Sequence, residues 1–215
     1  PTIVLASGYN PSKTYDGQTI SNPTADDLTI TGAAFGNVDF TWSATPKDAG
    51  TYTLTANIKE TPNTAAASTS PLTVTISKAT LTATGATVAS KPYDTTKTAT
   101  VTGVTFTGLV NGETLALGTD YTATGEFDSE NAGTGKSVTV TVTLANTAKA
   151  NNYNLTPNTT TATADITKAD PVVTAVSVST PTTIYESTSL GDITLTHGEG
   201  DPEGTISLDA GQTLP

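Results

Sequence analysis

Four acidic side chains near the middle of the chain have the types and spacing for cation chemistry. Glu126, Asp128 and Glu130 alternate, Asn131 follows, and Asp120 lies just upstream. Hard cations such as calcium take several oxygen ligands, which alternate carboxylates can supply. The spacing departs from an EF-hand, because no Gly occupies the sixth loop position and no Glu the twelfth. The stretch runs into Ala132-Gly133, so the plain reading is a solvated turn, with calcium as the alternative. Asp201 and Glu203 around Pro202, after Glu199, form a sparser candidate of the same kind. His197 is the only His. A nucleophilic triad would need a positioned Ser and acid beside it, and no Gly-x-Ser-x-Gly elbow occurs. A zinc site needs more His or Cys than the chain has. These residues point to no enzyme.

Two further sets could bind rather than react. Tyr15-Asp16 and Tyr93-Asp94 recur in matching contexts. They suit either a ligand-facing loop or a turn in which Asp accepts from backbone N–H groups while the Tyr ring packs at an edge. Recurrence favours the turn, since each copy must fold. Trp42, with Phe40 two residues before it, suits either a sugar-stacking platform or the core of a small sandwich. A glycosidase would need two opposed carboxylates in a cleft, and short β modules leave little room for one. Nine Lys and many Asn also admit an intramolecular Lys–Asn cross-link, which would require a buried Lys beside an acid.

Composition narrows the setting. About a quarter of the 215 residues are Thr, whose β-branch favours strands. All nine basic residues are Lys, and Cys and Met are absent. The chain therefore has no disulfide, no thiol catalysis and no thioether to oxidise, which suits an oxidising exterior. The net charge of −11 disfavours nucleic acid and anionic membrane surfaces as partners. No stretch approaches the ~18 apolar residues of a membrane span. The chain opens at Pro1 without Met, and the expectation is a processed or excised piece.

The elements that must position these residues are strands. Phe40-Thr41-Trp42, then Tyr52 to Ile58, Leu72 to Ile76 and Val138 to Leu144 alternate apolar and polar residues. Period two means one face on a core and the other in water. No helical period is present, and the Ala-rich stretch at 64–68, flanked by Pro62 and Pro71, reads as a loop. The chain also repeats. Ser12-Lys13-Thr14-Tyr15-Asp16-Gly17 matches Ser90-Lys91-Pro92-Tyr93-Asp94-Thr95. Asp48-Ala49-Gly50 matches Asn131-Ala132-Gly133, and Ile76-Ser77-Lys78-Ala79 matches Ile166-Thr167-Lys168-Ala169. A period of roughly 80–90 residues exceeds that of solenoid repeats, so each copy should be a domain. The predicted domains are 1–78, 79–168 and 169–215. The last, with Tyr185-Glu186 at the Tyr-Asp position, reads as a copy cut short, and the chain is expected to continue past Pro215. The Ile-Ser-Lys-Ala-Thr-Leu-Thr junction keeps its alternation without Gly or Pro, which predicts a stiff, extended array.

The Tyr-Asp segment, the Asn-Ala-Gly or Asp-Ala-Gly turn, Asn152-Tyr153-Asn154-Leu155 and the closing Ile-x-Lys-Ala together resemble the YDG and MBG modules of bacterial surface adhesins. Residues 79–168 resemble the YDG form, 1–78 an MBG-like variant, and 169–215 the opening half of one. Thr95 replaces the YDG glycine. The resemblance implies an all-β chain of tandem immunoglobulin-like β-sandwich modules set end to end. It implies a bacterial cell-surface location and a role as a stiff adhesive stalk or spacer. The alternatives are direct binding of host glycans or glycoproteins and service as the accessory region of a secreted enzyme. The partners expected are neighbouring modules of the same chain and such host ligands. No cofactor is expected beyond the calcium alternative.

Overall fold

Alternating Thr and aliphatic residues place one face of each strand on a core, and the burial pattern follows that alternation. In Leu72–Ser77 the side chains of Val74 and Ile76 are buried and their Thr and Ser neighbours are exposed. In Gly133–Leu144, Val138, Val140 and Val142 are buried between exposed or half-buried residues. Each such side chain contributes about 1.5–3 kcal/mol on burial. The computed structural model describes residues 1–170, and no α-helix occurs among them; four single 3-10 turns do. The third predicted copy, with Tyr185, Glu186, His197, Glu199, Asp201 and Glu203, lies outside the described residues.

The first block contains β1 (Thr2–Leu5), β2 (Lys13–Thr14), β3 (Leu28–Thr31), β4 (Val38–Trp42), β5 (Gly50–Ile58), β6 (Ala67–Ser68) and β7 (Leu72–Ser77). Its main sheet has the order β2-β7-β5-β4, with β6 also paired to β5, and β1-β3 forms a separate pair. Ile3 and Leu28 from that pair are buried with Ala56 and Ile58 of β5. The Ala-rich stretch expected as a loop thus contributes a short strand, because Ala67 and Ser68 find free pairing groups opposite Ile58 and Asn57.

The second block contains β8 (Ala79–Val88), β9 (Lys91–Pro92), β10 (Thr98–Ala99), β11 (Val101–Thr107), β12 (Tyr121–Phe127), β13 (Gly133–Leu144), β14 (Tyr153–Leu155) and β15 (Thr159–Thr167). A five-stranded sheet, β10-β12-β13-β15-β9, faces a three-stranded one, β11-β8-β14. Between them are buried Tyr121, Phe127, Val138, Val140, Val142 and Ile166, against Ala83 of β8.

A single residue, Lys78, separates β7 from β8. The two blocks do not stand apart there: Pro1–Thr167 is one compact unit. Tyr15, Leu54, Val74 and Ile76 of the first block form one buried cluster with Ala79, Leu81 and Tyr153 of the second. The seam expected at 78/79 is therefore crossed by a shared core.

Candidate functional site

The Tyr-Asp segments are built alike in both blocks. In the first, β2 pairs parallel to β7, and the Tyr15 N–H donates to the Ser77 carbonyl at 2.8 Å. In the second, β9 pairs parallel to β15, and the Tyr93 N–H donates to the Thr167 carbonyl at 2.8 Å. The segment near the start of each copy is thus held by the strand that closes it, which is why Tyr-Asp and Ile-x-Lys recur together. The following turn is a clasp. The Asp16 carboxylate accepts from the Gln18 N–H at 2.9 Å and from Lys13 Nζ at 2.7 Å, while Lys13 also donates to the Gln18 carbonyl. Asp94 repeats this with the Thr96 N–H at 2.9 Å and Lys91 Nζ at 2.7 Å. The ammonium of Lys91 and the Thr96 donors hold the Asp94 carboxyl at about 2, and Lys13 with Gln18 lowers that of Asp16. The turn needs a left-handed residue, with φ 72° at Gly17 and 63° at Thr95. Both lysines stood in the sequence match, and the shared Lys-x-x-Asp spacing was the signal for their role.

The chemically densest place lies where the blocks meet. After β11, Gly108 takes a left-handed φ of 95°, and a Cβ there would collide with the Thr80 carbonyl oxygen. This close approach lays the next segment, Leu109 to Leu115, against the first block. Glu113 on it receives two hydroxyls: Tyr15 donates to Oε1 and Tyr153 to Oε2, each at 2.6 Å. The two rings meet edge to face, 5.7 Å between centroids. Burial first, and then the carboxylate of Glu113, pushes the Tyr153 hydroxyl up to about 12, and the same causes raise Tyr15 further. Asn111 donates to the Asp16 carbonyl at 2.9 Å. The buried Asn152 accepts from the Ala49 N–H at 2.7 Å and donates to Asp48 at 3.1 Å. The first block therefore presents Tyr15, Asp16, Gly17 and the Asp48-Ala49 turn, and the second fills them with Asn111, Glu113 and Asn152.

The acidic residues proposed for calcium do not converge. Asp120 and Asp128 sit at opposite ends of β12, roughly 25 Å apart for an extended strand. Asp120 is buried and already bonded, accepting from the Ala116 N–H at 3.0 Å and from Thr147 at 2.9 Å, with Lys149 Nζ at 3.8 Å. Those donors lower its pKa. Asp128 is held by Lys136 Nζ at 2.9 Å, which lowers its pKa too. Glu126 is exposed on β12, and Glu130 is half-buried in the turn beyond it. Among the described residues, no three His, Cys, Asp or Glu side chains group as metal ligands would. The lysines nearest burial, Lys136 and Lys91, face aspartates rather than asparagines.

Trp42 lies on β4, the edge strand of its sheet, and is half-buried against the seam cluster together with Phe40 and Tyr52. Its indole N–H donates to Asn22 at 2.8 Å. An open groove of about 590 Å³ runs beside it, lined by Thr19, Asn22, Thr45 and Pro46 among others.

Residues 76–163 match the YDG domain. The match begins at Ile76, inside β7, and ends at Thr163, inside β15, so it contains Tyr93-Asp94-Thr95, Glu113 and Asn152-Tyr153. No curated protein and no solved structure matches the chain. The YDG domain accordingly supplies Asn111, Glu113 and Asn152 to the junction. Sequence reasoning did not single out Asn111 or Glu113, because the first block has no counterpart to repeat them. Asn152 was visible only as part of a motif.

Proposed function

We propose that this chain is a stiff spacer in a bacterial cell-surface protein, built from β-sandwich modules of the YDG and MBG-like kind set nearly end to end. The junction carries this reading. A one-residue link, a shared apolar cluster and three polar side chains of the YDG domain fixed into the preceding block leave little freedom for bending. A surface catalyst or a loose tether would gain nothing from a carboxylate bonded to two tyrosines at its seam. The absence of Cys and Met and the acidic charge suit a chain standing outside the cell. Residual dipolar couplings on the full chain test it. The first block and the YDG domain should share one alignment tensor, and distinct tensors would sink the spacer reading.

A second reading, direct glycan binding, draws on the groove beside Trp42. The half-exposed indole, with Asn22, Thr19 and Thr45 around it, offers a ring face and hydroxyl partners of the sort sugars use. Since Trp42 is the only Trp, its fluorescence reports directly. A glycan array followed by fluorescence titration decides between the readings: no glycan shifting Trp42 emission leaves the spacer alone.

A further inference from the structure

The receiving end that the first block offers to the YDG domain is duplicated at the far end of the YDG domain itself. In the first block it consists of Tyr15, the Asp16 carbonyl, Gly17 and the Asp48-Ala49 turn. The equivalent positions are Tyr93, Asp94, Thr95 and Asn131-Ala132. The frame beneath them is the same. Lys–Asp contacts of 2.7 Å, turn N–H bonds of 2.9 Å and tyrosine N–H bonds of 2.8 Å to the closing strand appear in both. Ser12 accepts from the Thr75 N–H as Ser90 does from the Asp165 N–H, at 2.9 and 3.0 Å.

Two of these positions differ, and both face the partner: Asn131 stands for Asp48, keeping an oxygen that can accept from a carboxamide as Asp48 does from Asn152, and Thr95 stands for Gly17, which changes the shape. A Cβ on Gly17 would stand 2.5 Å from Nδ2 of Asn111, so a side chain there would push that carboxamide off the Asp16 carbonyl to which it donates. Thr95 keeps the left-handed backbone, φ 63°, yet carries a Cβ and a branch. A β-branched residue is strained there, and a turn shaped only for folding would hold Gly. Strain retained at an outward-facing turn marks a site where the side chain is used.

We propose that the far end of the YDG domain receives another β module of the YDG kind, and that Thr95 selects which one. The incoming module presents a carboxylate to the Tyr93 hydroxyl and a carboxamide to the Ala132 N–H. It has no side chain where Asn111 stands, because Thr95 occupies that space. The first block, with Gly17, takes modules that carry the asparagine. Modules are thereby sorted by one residue on each side of a seam. This inference rests on the spacer reading and adds order to it.

The selection is tested first in the full chain. Gly17→Thr should lower the folding equilibrium constant, and Asn111→Gly in the same chain should recover roughly fivefold of the loss. The backbone strain of Thr is common to both arms and cancels. Equal losses with and without Asn111 would overturn the selector role. The docking is tested in a chain with residues 79–168 repeated after Lys168. Tyr93→Phe and the added copy's Glu113→Gln should be coupled, as Tyr15→Phe and the original Glu113→Gln should be at the first seam. Asn111→Gly in the added copy, or Thr95→Gly, should strengthen the new seam about fivefold. Independence at the new seam beside coupling at the old one, in either background, would overturn the docking. That outcome leaves the shared tensor of the first two blocks, and hence the spacer reading, untouched.

Discussion

The hydroxyl of Tyr15 donates at 2.6 Å to the carboxylate of Glu113, a residue 98 positions later in the chain. The second oxygen of that carboxylate takes the Tyr153 hydroxyl at the same distance. One charge thus ties a ring of the first block to a ring of the second, and both rings are buried. Exposed ion pairs contribute little because water competes for them. Here two buried hydroxyls have a charged acceptor, and each would lose a strong partner if it were removed.

Tyr15→Phe should therefore destabilise the chain by about 1.5–3 kcal/mol, the range for hydrogen bonds to charged groups. Glu113→Gln should cost a similar amount, since an amide accepts less strongly and offers one oxygen rather than two. The double variant should cost less than the sum, with a coupling of about 1 kcal/mol or more. Urea unfolding of the four proteins measures this. Strict additivity would mean that the two side chains do not act together.

The same pair sets a limit in alkali. Tyr153 titrates at about 12 in the fold and Tyr15 is raised further, against ~10 for a free tyrosine. A group whose folded pKa is raised lends stability that is complete below the unfolded value and drains away as pH climbs toward the folded one. Stability should thus hold to about pH 10 and fall between pH 10 and 12. Denaturation midpoints against pH should show this slope, and Tyr15→Phe with Tyr153→Phe should flatten it. An unchanged slope in that double variant would place the alkaline sensitivity elsewhere.

Thr95 offers a gain instead. A left-handed backbone costs a residue with a Cβ about 1–2 kcal/mol, and glycine returns part of that as unfolded-chain entropy. Thr95→Gly should stabilise the chain by roughly 0.5–1 kcal/mol. Gly17→Ala should do the opposite by more than about 1 kcal/mol, adding the Asn111 contact to the strain. Thermal or urea unfolding reads both signs. A destabilising Thr95→Gly would show that the threonine side chain holds something within its own block.

What the sequence disclosed follows from what repeats. The strands were legible because Thr alternates with Val, Leu and Ile, and a half-buried strand has no other pattern. The Tyr-Asp clasp was legible because it occurs twice. The junction was hidden for the opposite reason: Glu113 and Asn111 occur once, on a segment whose path depends on the Gly108 approach to β8. No spacing rule connects Tyr15 with a residue in the next block. The placement of the acids weighed for calcium was hidden on a related point. Of the four acids only Glu126 lies on β12, Asp120 and Asp128 flank the strand at its two ends, and Lys136 already holds Asp128.

The clasp itself makes the last prediction. Asp94 has its carboxylate half-exposed, yet the Lys91 ammonium first, then the Thr96 N–H and hydroxyl, hold it at about 2. The unfolded value is ~3.9. A depressed carboxyl contributes stability that is present above the unfolded pKa and lost as pH falls through the folded one. The clasp should thus weaken between about pH 4 and pH 2. Lys91→Met should return Asp94 toward its ordinary titration, with the carboxyl-carbon NMR shift as readout. It should leave Asp16 unmoved, because Lys13 serves that turn separately. An Asp94 midpoint near 2 that survives the loss of Lys91 would assign the depression to the turn N–H alone and deny the lysine its part in the motif.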